Sequence, residues 1–169
     1  MAKYKQGKSN QKLYFAKIHI DAIKDAEAND TLLNKKAVIA AFRESSLFHL
    51  VSAYHAFLNE MLNTYDVVLS PMDSLADIQA QLTSQGRPSS ELERFQQLES
   101  SGWLTDLLSA WDEVQNHALE KKPSTLKAAV SGAIDVLQAE PVNEVVQLEL
   151  WRNKLASEID ALRSLLTEW

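Results

Sequence analysis

The segment TLLNKKAVIAAFRESSLFHLVSAYHAFLNEMLNTY, residues 31–65, contains neither glycine nor proline. Its apolar side chains recur at the three- and four-residue steps of an amphipathic helix. As one helix it would be about 50 Å long at 1.5 Å per residue, and a kink near Ser45 and Ser46 is one way to accommodate that length. The segment therefore predicts a long helix that organises an all-α protein.

The rest of the chain divides into further helices at recognisable start and stop signals. Ser9 or Asn10 is a suitable N-cap for the first helix, Ser90 and Glu93 form a capping box, and Gly86 is a good helix stop. The predicted helices lie at residues 9–30, 31–65, 70–86, 90–100, 102–122 and 141–169, whereas 124–140 fits a helix or an irregular connection. The pattern predicts an up-and-down helical bundle of four main helices with one or two short extra helices.

Composition places the chain among ordinary globular proteins. Its 169 residues are 46% hydrophobic and 24% charged, which suits a single domain spanning 1–169, with a flexible basic arm predicted over 1–8. The absence of cysteine excludes disulfides and thiolate chemistry. Without a signal-peptide pattern or an apolar membrane span, we expect a soluble, cytoplasmic protein. A net charge of −6 makes nucleic acid an unlikely partner.

The stretch AFRESSLFHL, residues 41–50, is the part of the chain that most resembles a site. On an ideal helix Arg43 and Glu44 project toward the apolar face, and His55 lies on the stripe of Glu44. A charge that points at a core needs a partner, so we predict a buried polar cluster of Arg43, Glu44 and His55. Two alternatives stay open: a pocket in which Arg43 binds a small acidic ligand, and a self-association surface.

A second stripe on the same helix is small and polar, and it runs down the side opposite the apolar face. Its members are Ser45, His49, Ser52, Ala56, Asn59 and Asn63. The stripe fits either a solvent-exposed face or a close helix–helix contact, because small side chains let two backbones approach. We treat it as a candidate contact stripe.

The spacing of Arg43 and His49 resembles the Arg-x5-His signature of HEPN domains, all-α bundles that include many dimeric ribonucleases. That resemblance implies a metal-independent ribonuclease, or a nucleotide-binding module, in which Arg43 and His49 act together at a dimer interface. The family usually has Asn or Asp after the arginine, where this chain has Glu44. The two residues also lie about 120° apart around an ideal helix, which places them on different faces.

The sequence contains no pattern typical of other classes of functional site. Facing Glu-x-x-His pairs, a Gly-rich phosphate loop and a G-x-S-x-G motif are all missing, so we predict no metal and no cofactor. Trp103, Trp111 and Trp151 belong to apolar helical stripes and are predicted to pack in the core.

The segments NQKLYFAKIHIDA (10–22) and LWRNKLASEIDALRSLLTEW (150–169) resemble a family of short, uncharacterised, all-helical proteins of gammaproteobacteria. This resemblance implies a bacterial cytoplasmic setting and adds no mechanism. We therefore predict a non-enzymatic helical bundle that works through protein contacts, either with itself as a homo-oligomer or with one protein partner.

Overall fold

The computed structural model describes residues 6–67, 74–120 and 141–167, and within them the chain is all-helical, as predicted, with no strand. The α-helices are α1 (Gln6–Ala28), α2 (Lys35–Leu62), α3 (Leu75–Ser84), α4 (Ser90–Ser101), α5 (Trp103–Glu120) and α6 (Pro141–Thr167). A short 3-10 turn, Asn63–Tyr65, follows α2. Among the described residues, no helix combines the length and the apolar character needed to cross a bilayer.

Helices α1 and α2 form an antiparallel hairpin that makes the most extensive contact in the described structure. Ser9 near the start of α1 donates a hydrogen bond to Glu60 near the end of α2, at 3.2 Å. At the other end, the Lys35 ammonium donates to the carbonyl oxygen of Glu27. The two helices bury Leu13, Ala16, Ile20 and Ile23 of α1 and Leu47, Leu50, Ala53, Tyr54, Phe57 and Met61 of α2.

The turn between α1 and α2 explains why α2 begins later than predicted. The Asn29 side chain accepts hydrogen bonds from the backbone N–H and the hydroxyl of Thr31, at 3.0 and 2.8 Å. Asn34 has a left-handed backbone with φ of 56°, a conformation that asparagine tolerates better than most residues. The predicted start at Thr31 is therefore wrong, and α2 begins at Lys35.

Helix α6 runs antiparallel to α1 and parallel to α2. The interhelical contacts that fix this orientation are Lys24–Glu149, Arg43–Glu144, Arg163–Ser9 and Arg163–Glu60. Its buried side chains among the described residues recur at steps of three and four, as on one face of a helix: Val145, Leu148, Trp151, Leu155, Ile159 and Leu162. The core lies between α6 and the α1–α2 hairpin and continues into α3, α4 and α5 through residues such as Leu82, Phe95 and Leu104.

The shorter helices owe their ends to individual polar residues and one glycine. Ser74 caps α3 by accepting from the backbone N–H of Asp77, and Ser89 caps α4 by accepting from that of Leu92. Gly86 has φ of 71°, the left-handed conformation that ends helices, so the predicted stop is confirmed. The predicted cap at Ser90 is wrong by one residue, because Ser89 has the extended backbone of an N-cap.

Two other predicted boundaries are also displaced. Helix α1 begins at Gln6, so Ser9 is not its cap, and the last residues of the predicted basic arm are helical. Residues 1–5 of that arm lie outside the described part of the chain, as do the proposed helix start at 70–73 and the ambiguous segment 124–140.

Candidate functional site

Arg43 lies in the first half of α2, and its guanidinium faces α6. Its Nε atom is 3.2 Å from Oε1 of Glu144, and both side chains are about one-third exposed. A partly exposed ion pair of this kind contributes little to stability, about 0–1 kcal/mol. Arg43 therefore has the acidic partner that its position called for, and the partner comes from α6.

The predicted buried cluster of Arg43, Glu44 and His55 does not form. Both Glu44 and His55 are exposed, and Arg43 is only partly buried. Glu44 lies at the edge of the apolar stripe, where it remains exposed to solvent and needs no buried counter-charge. The acid that acts on His55 is Glu99: burial lowers the pKa of His55, and the charge of Glu99 opposes that shift.

His49 contacts α1 through two ring pairs. Its ring stacks on that of His19, with centroids 5.2 Å apart and planes 7° from parallel. Phe15, also from α1, meets His49 edge-on at 5.3 Å. Arg43 and His49 thus engage different helices, and the described contacts do not bring them to one shared point, as a catalytic pair would need.

The polar members of the candidate contact stripe are partly buried and bond to their own helix. The Ser45 hydroxyl donates to the Ala41 carbonyl at 2.9 Å, and the Asn59 amide donates to the His55 carbonyl at 2.9 Å. Asn63 donates in the same way to the Asn59 carbonyl. Ser52 is also partly buried. At His49 the stripe takes part in a helix–helix contact within the chain, whereas an intermolecular contact along it remains a prediction.

The rings around His49 continue outward to a partly exposed surface. The centre of the Phe48 ring lies 5.2 Å from that of His49 and 5.9 Å from that of Trp111 in α5. The Lys12 ammonium lies 5.4 Å from the centre of the Phe48 ring and 5.9 Å from that of Phe15. Phe48 is 46% exposed, although its ring meets those of His49 and Trp111.

We call this group the aromatic cluster, and its rings come from three helices. The members are Phe15 and His19 of α1, Phe42, Phe48 and His49 of α2, and Trp111 of α5. The hairpin positions the first five, because α1 and α2 are antiparallel and their facing turns meet. Ring pairs of this kind contribute about 0.5–1.5 kcal/mol each beyond area burial.

The surroundings of the aromatic cluster disfavour a positive charge on His49. The Nδ1 atoms of His19 and His49 are both buried and have no hydrogen-bond partner among the described residues. Burial lowers the pKa of His49 below its ordinary value, and the charges of Lys12 and His19 lower this pKa further.

A second polar group, which the sequence analysis missed, joins α1, α2 and α6. Arg163 binds both carboxylate oxygens of Glu60, with its Nε 3.0 Å from Oε1 and its Nη2 2.9 Å from Oε2. The same guanidinium donates to Asn10 at 2.8 Å and to the buried Ser9 hydroxyl at 2.7 Å. This polar node fits a structural role, because its hydrogen bonds connect three helices.

Sequence signals for both groups existed. Glu60 follows Phe57 by three residues and Arg163 follows Ile159 by four, so each charge lies on a core-facing stripe. Phe15 and His19 are likewise one helical turn apart on α1. What the sequence lacked was the pairing of helices, which decides which stripes meet.

Across the described residues, no three His, Cys, Asp or Glu side chains are grouped as they would be to hold a metal ion.

The model of a family of unknown function, DUF6586, matches residues 1–169, and the chain belongs to that family. No curated protein and no solved structure matches it.

Proposed function

We propose that this chain is a non-enzymatic, up-and-down helical bundle of the bacterial cytoplasm that acts through protein contacts. We further propose that a partner binds at the exposed side of the aromatic cluster. The observation that carries the proposal is Phe48, a large apolar side chain that is 46% exposed yet packed between His49 and Trp111.

The chemistry of the aromatic cluster suits a protein interface. Aromatic residues are enriched at the centres of interfaces and dominate their hot spots. Covering apolar surface is worth about 25 cal/mol per Å². Because Phe48 is already held by His49 and Trp111, it would lose little side-chain entropy when a partner covers it.

The charge beside Phe48 favours a particular kind of partner. Lys12 lies over the Phe15 and Phe48 rings, which places a positive charge beside the exposed Phe48 side chain. In a two-fold symmetric homodimer through this surface, the same patch would occur on both sides and bring two Lys12 side chains together. A protein partner that presents a carboxylate beside apolar side chains fits better than a second copy.

The test compares two substitutions of matched exposure. Phe48→Ser should abolish recovery of a co-purifying partner, whereas Leu150→Ser on α6, where the side chain is 43% exposed, should retain it. Light scattering first establishes the solution mass, and cross-linking mass spectrometry then maps the contact. Equal recovery with both variants, or a cross-link map that avoids α1, α2 and α5, would contradict the proposed surface.

The ribonuclease alternative has less support. It requires Arg43 and His49 to act on one phosphate, but the Arg43 guanidinium pairs with Glu144 and the His49 ring stacks on His19. It predicts RNA cleavage by the purified protein that is lost in His49→Ala and retained in His55→Ala. Cleavage with that dependence would overturn the protein-contact proposal.

A further inference from the structure

The stacked pair of His19 and His49 lies at the contact between α1 and α2, beneath the proposed contact surface. The rings are nearly parallel, 5.2 Å apart, and each has a buried Nδ1 without a partner among the described residues. Among the described residues, no group of three possible metal ligands includes this pair, so we do not treat it as a metal site.

Protonation changes what these rings require of their surroundings. A neutral imidazole has one N–H, but an imidazolium has two, so each ring nitrogen becomes a donor. A buried Nδ1–H would then need an acceptor, and a buried donor without one costs free energy. Two charged rings at this separation would also repel each other.

The charged groups near the pair offer no compensation. From α1, Lys12 adds positive charge. On α2, Arg43 is paired with Glu144, and Glu44 is exposed. From α5, which reaches the cluster through Trp111, the neighbouring acids Asp112 and Glu113 are exposed.

Two of the aromatic rings around the pair already hold a cation. Phe15 and Phe48 carry the Lys12 ammonium at 5.9 and 5.4 Å. Both rings meet His49 at 64–65°, in an edge arrangement that differs from a cation lying over a ring face. Neither ring is therefore placed to stabilise a proton added to His49.

We infer that the His19–His49 pair makes the α1–α2 contact sensitive to pH, so that mild acidification loosens it and with it the surface around Phe48. This goes beyond the proposed function, because it concerns the stability of the hairpin whether or not a partner binds. The imidazoles stack while His49 is neutral, and a proton on its ring sets burial and charge against the contact.

The direction of the pH dependence follows from the pKa of His49. Burial above all, then Lys12 and His19, lower this pKa relative to the unfolded chain, where a histidine titrates near 6.5. A lowered pKa means that the unfolded chain binds the proton more tightly. The stabilisation by neutral His49 is complete above about pH 6.5 and is lost as pH falls from there through the folded-state pKa.

The experiment follows urea unfolding between pH 8.0 and pH 5.5 for the wild type, His49→Phe, His19→Phe, His55→Gln and the double variant His49→Phe with His55→Gln. Phenylalanine keeps a ring in the cluster and removes the titrating nitrogen. Burial also lowers the pKa of His55, so His55→Gln measures the acid-induced loss that arises outside the His19–His49 pair. The folding equilibrium constant changes by up to about tenfold for each unit between the folded and unfolded pKa. We expect His49→Phe to flatten the acid-induced loss both in the wild type and in the His55→Gln background.

A direct titration keeps the inference testable if a variant fails to fold. The Cε1 proton resonance of His49 in the wild type should titrate below pH 6.5. In Lys12→Gln the titration should move upward, because a positive neighbour has gone. A His49 resonance that titrates at or above 6.5, or an unchanged pH dependence in His49→Phe, would overturn the inference.

Discussion

The polar node at the end of the hairpin leads to a prediction about how burial governs the strength of an ion pair. Glu60→Ala removes the carboxylate that accepts two hydrogen bonds from Arg163, at 3.0 and 2.9 Å, and one from Ser9 at 3.2 Å. The Arg163 and Glu60 side chains are only 15% and 12% exposed. The substitution therefore removes one carboxylate and two hydrogen bonds from a largely buried guanidinium.

The expected cost lies between two limits. Removing one partner of a fully buried ion pair costs about 3–5 kcal/mol, and an exposed pair contributes about 0.2–1 kcal/mol. Arg163 keeps its bond to Asn10 at 2.8 Å, and a little water reaches the site. We expect Glu60→Ala to lower the free energy of unfolding by about 2–3 kcal/mol.

The control is Glu158→Ala, which breaks an ion pair of the same chemistry between α4 and α6. Arg94 binds both oxygens of Glu158, each at 2.8 Å, but the Arg94 side chain is 57% exposed. We expect a cost below about 1 kcal/mol, which 0.5 M NaCl should reduce further because salt screens exposed charges.

The assay is urea unfolding followed by circular dichroism at pH 7, with thermal unfolding as a second readout. The loss in Glu60→Ala corresponds to a melting temperature lower by about 4–12 °C. If Glu158→Ala destabilises the protein as much as Glu60→Ala, the link between burial and the strength of these pairs is refuted. The double variant Glu60→Leu with Arg163→Met should recover most of the loss, because no buried charge is then left alone.

Two further substitutions test contacts elsewhere. Tyr54→Phe removes the hydrogen bond from a fully buried phenol to the Glu99 carboxylate at 2.7 Å, and should lower the free energy of unfolding by about 1–2 kcal/mol. Burial also raises the pKa of Tyr54, so absorbance at 295 nm should show no phenolate from it at pH 10.5 while the protein stays folded. Gly102→Ala should destabilise by about 1–3 kcal/mol, because a Cβ there would lie 2.9 Å from Leu98 Cδ2 and 3.0 Å from its Cα. Gly7→Ala, with nothing within 4 Å, should be neutral or slightly stabilising in the same denaturation assay.

Helix content and the buried stripes could be predicted from periodicity alone. The apolar steps in α6, from Val145 to Leu162, are the buried side chains of that helix. Such patterns work because a helix displays one face every 3.6 residues whatever it packs against. Helix ends were harder to predict, because Ser9 donates a tertiary hydrogen bond to Glu60 instead of capping α1. The sequence alone does not distinguish a serine that caps a helix from one that bonds to another helix.

The site was harder to predict than the fold, because it depends on which helices meet. A projection of α2 places Arg43 and Glu44 near the apolar side, but only the position of α6 gives Arg43 its partner Glu144 and leaves Glu44 exposed. In the same way, the neighbours of His49 are set by the antiparallel register of α1. Sequence reasoning names the residues that face inward, whereas the tertiary pairing decides what each of them touches.

The two polar features of the hairpin divide α1 into parts with different responses to pH. Its N-terminal end is fixed by Ser9 and Asn10 in a node that contains a carboxylate and a guanidinium and no histidine. Its middle is fixed by His19, whose ring lies on His49. The inferred effect of mild acid therefore acts where the histidine pair lies, in the middle of α1. Loosening would therefore begin around Phe15 and His19, where α1 supports Phe48, while the end of the helix stays attached to α2 and α6.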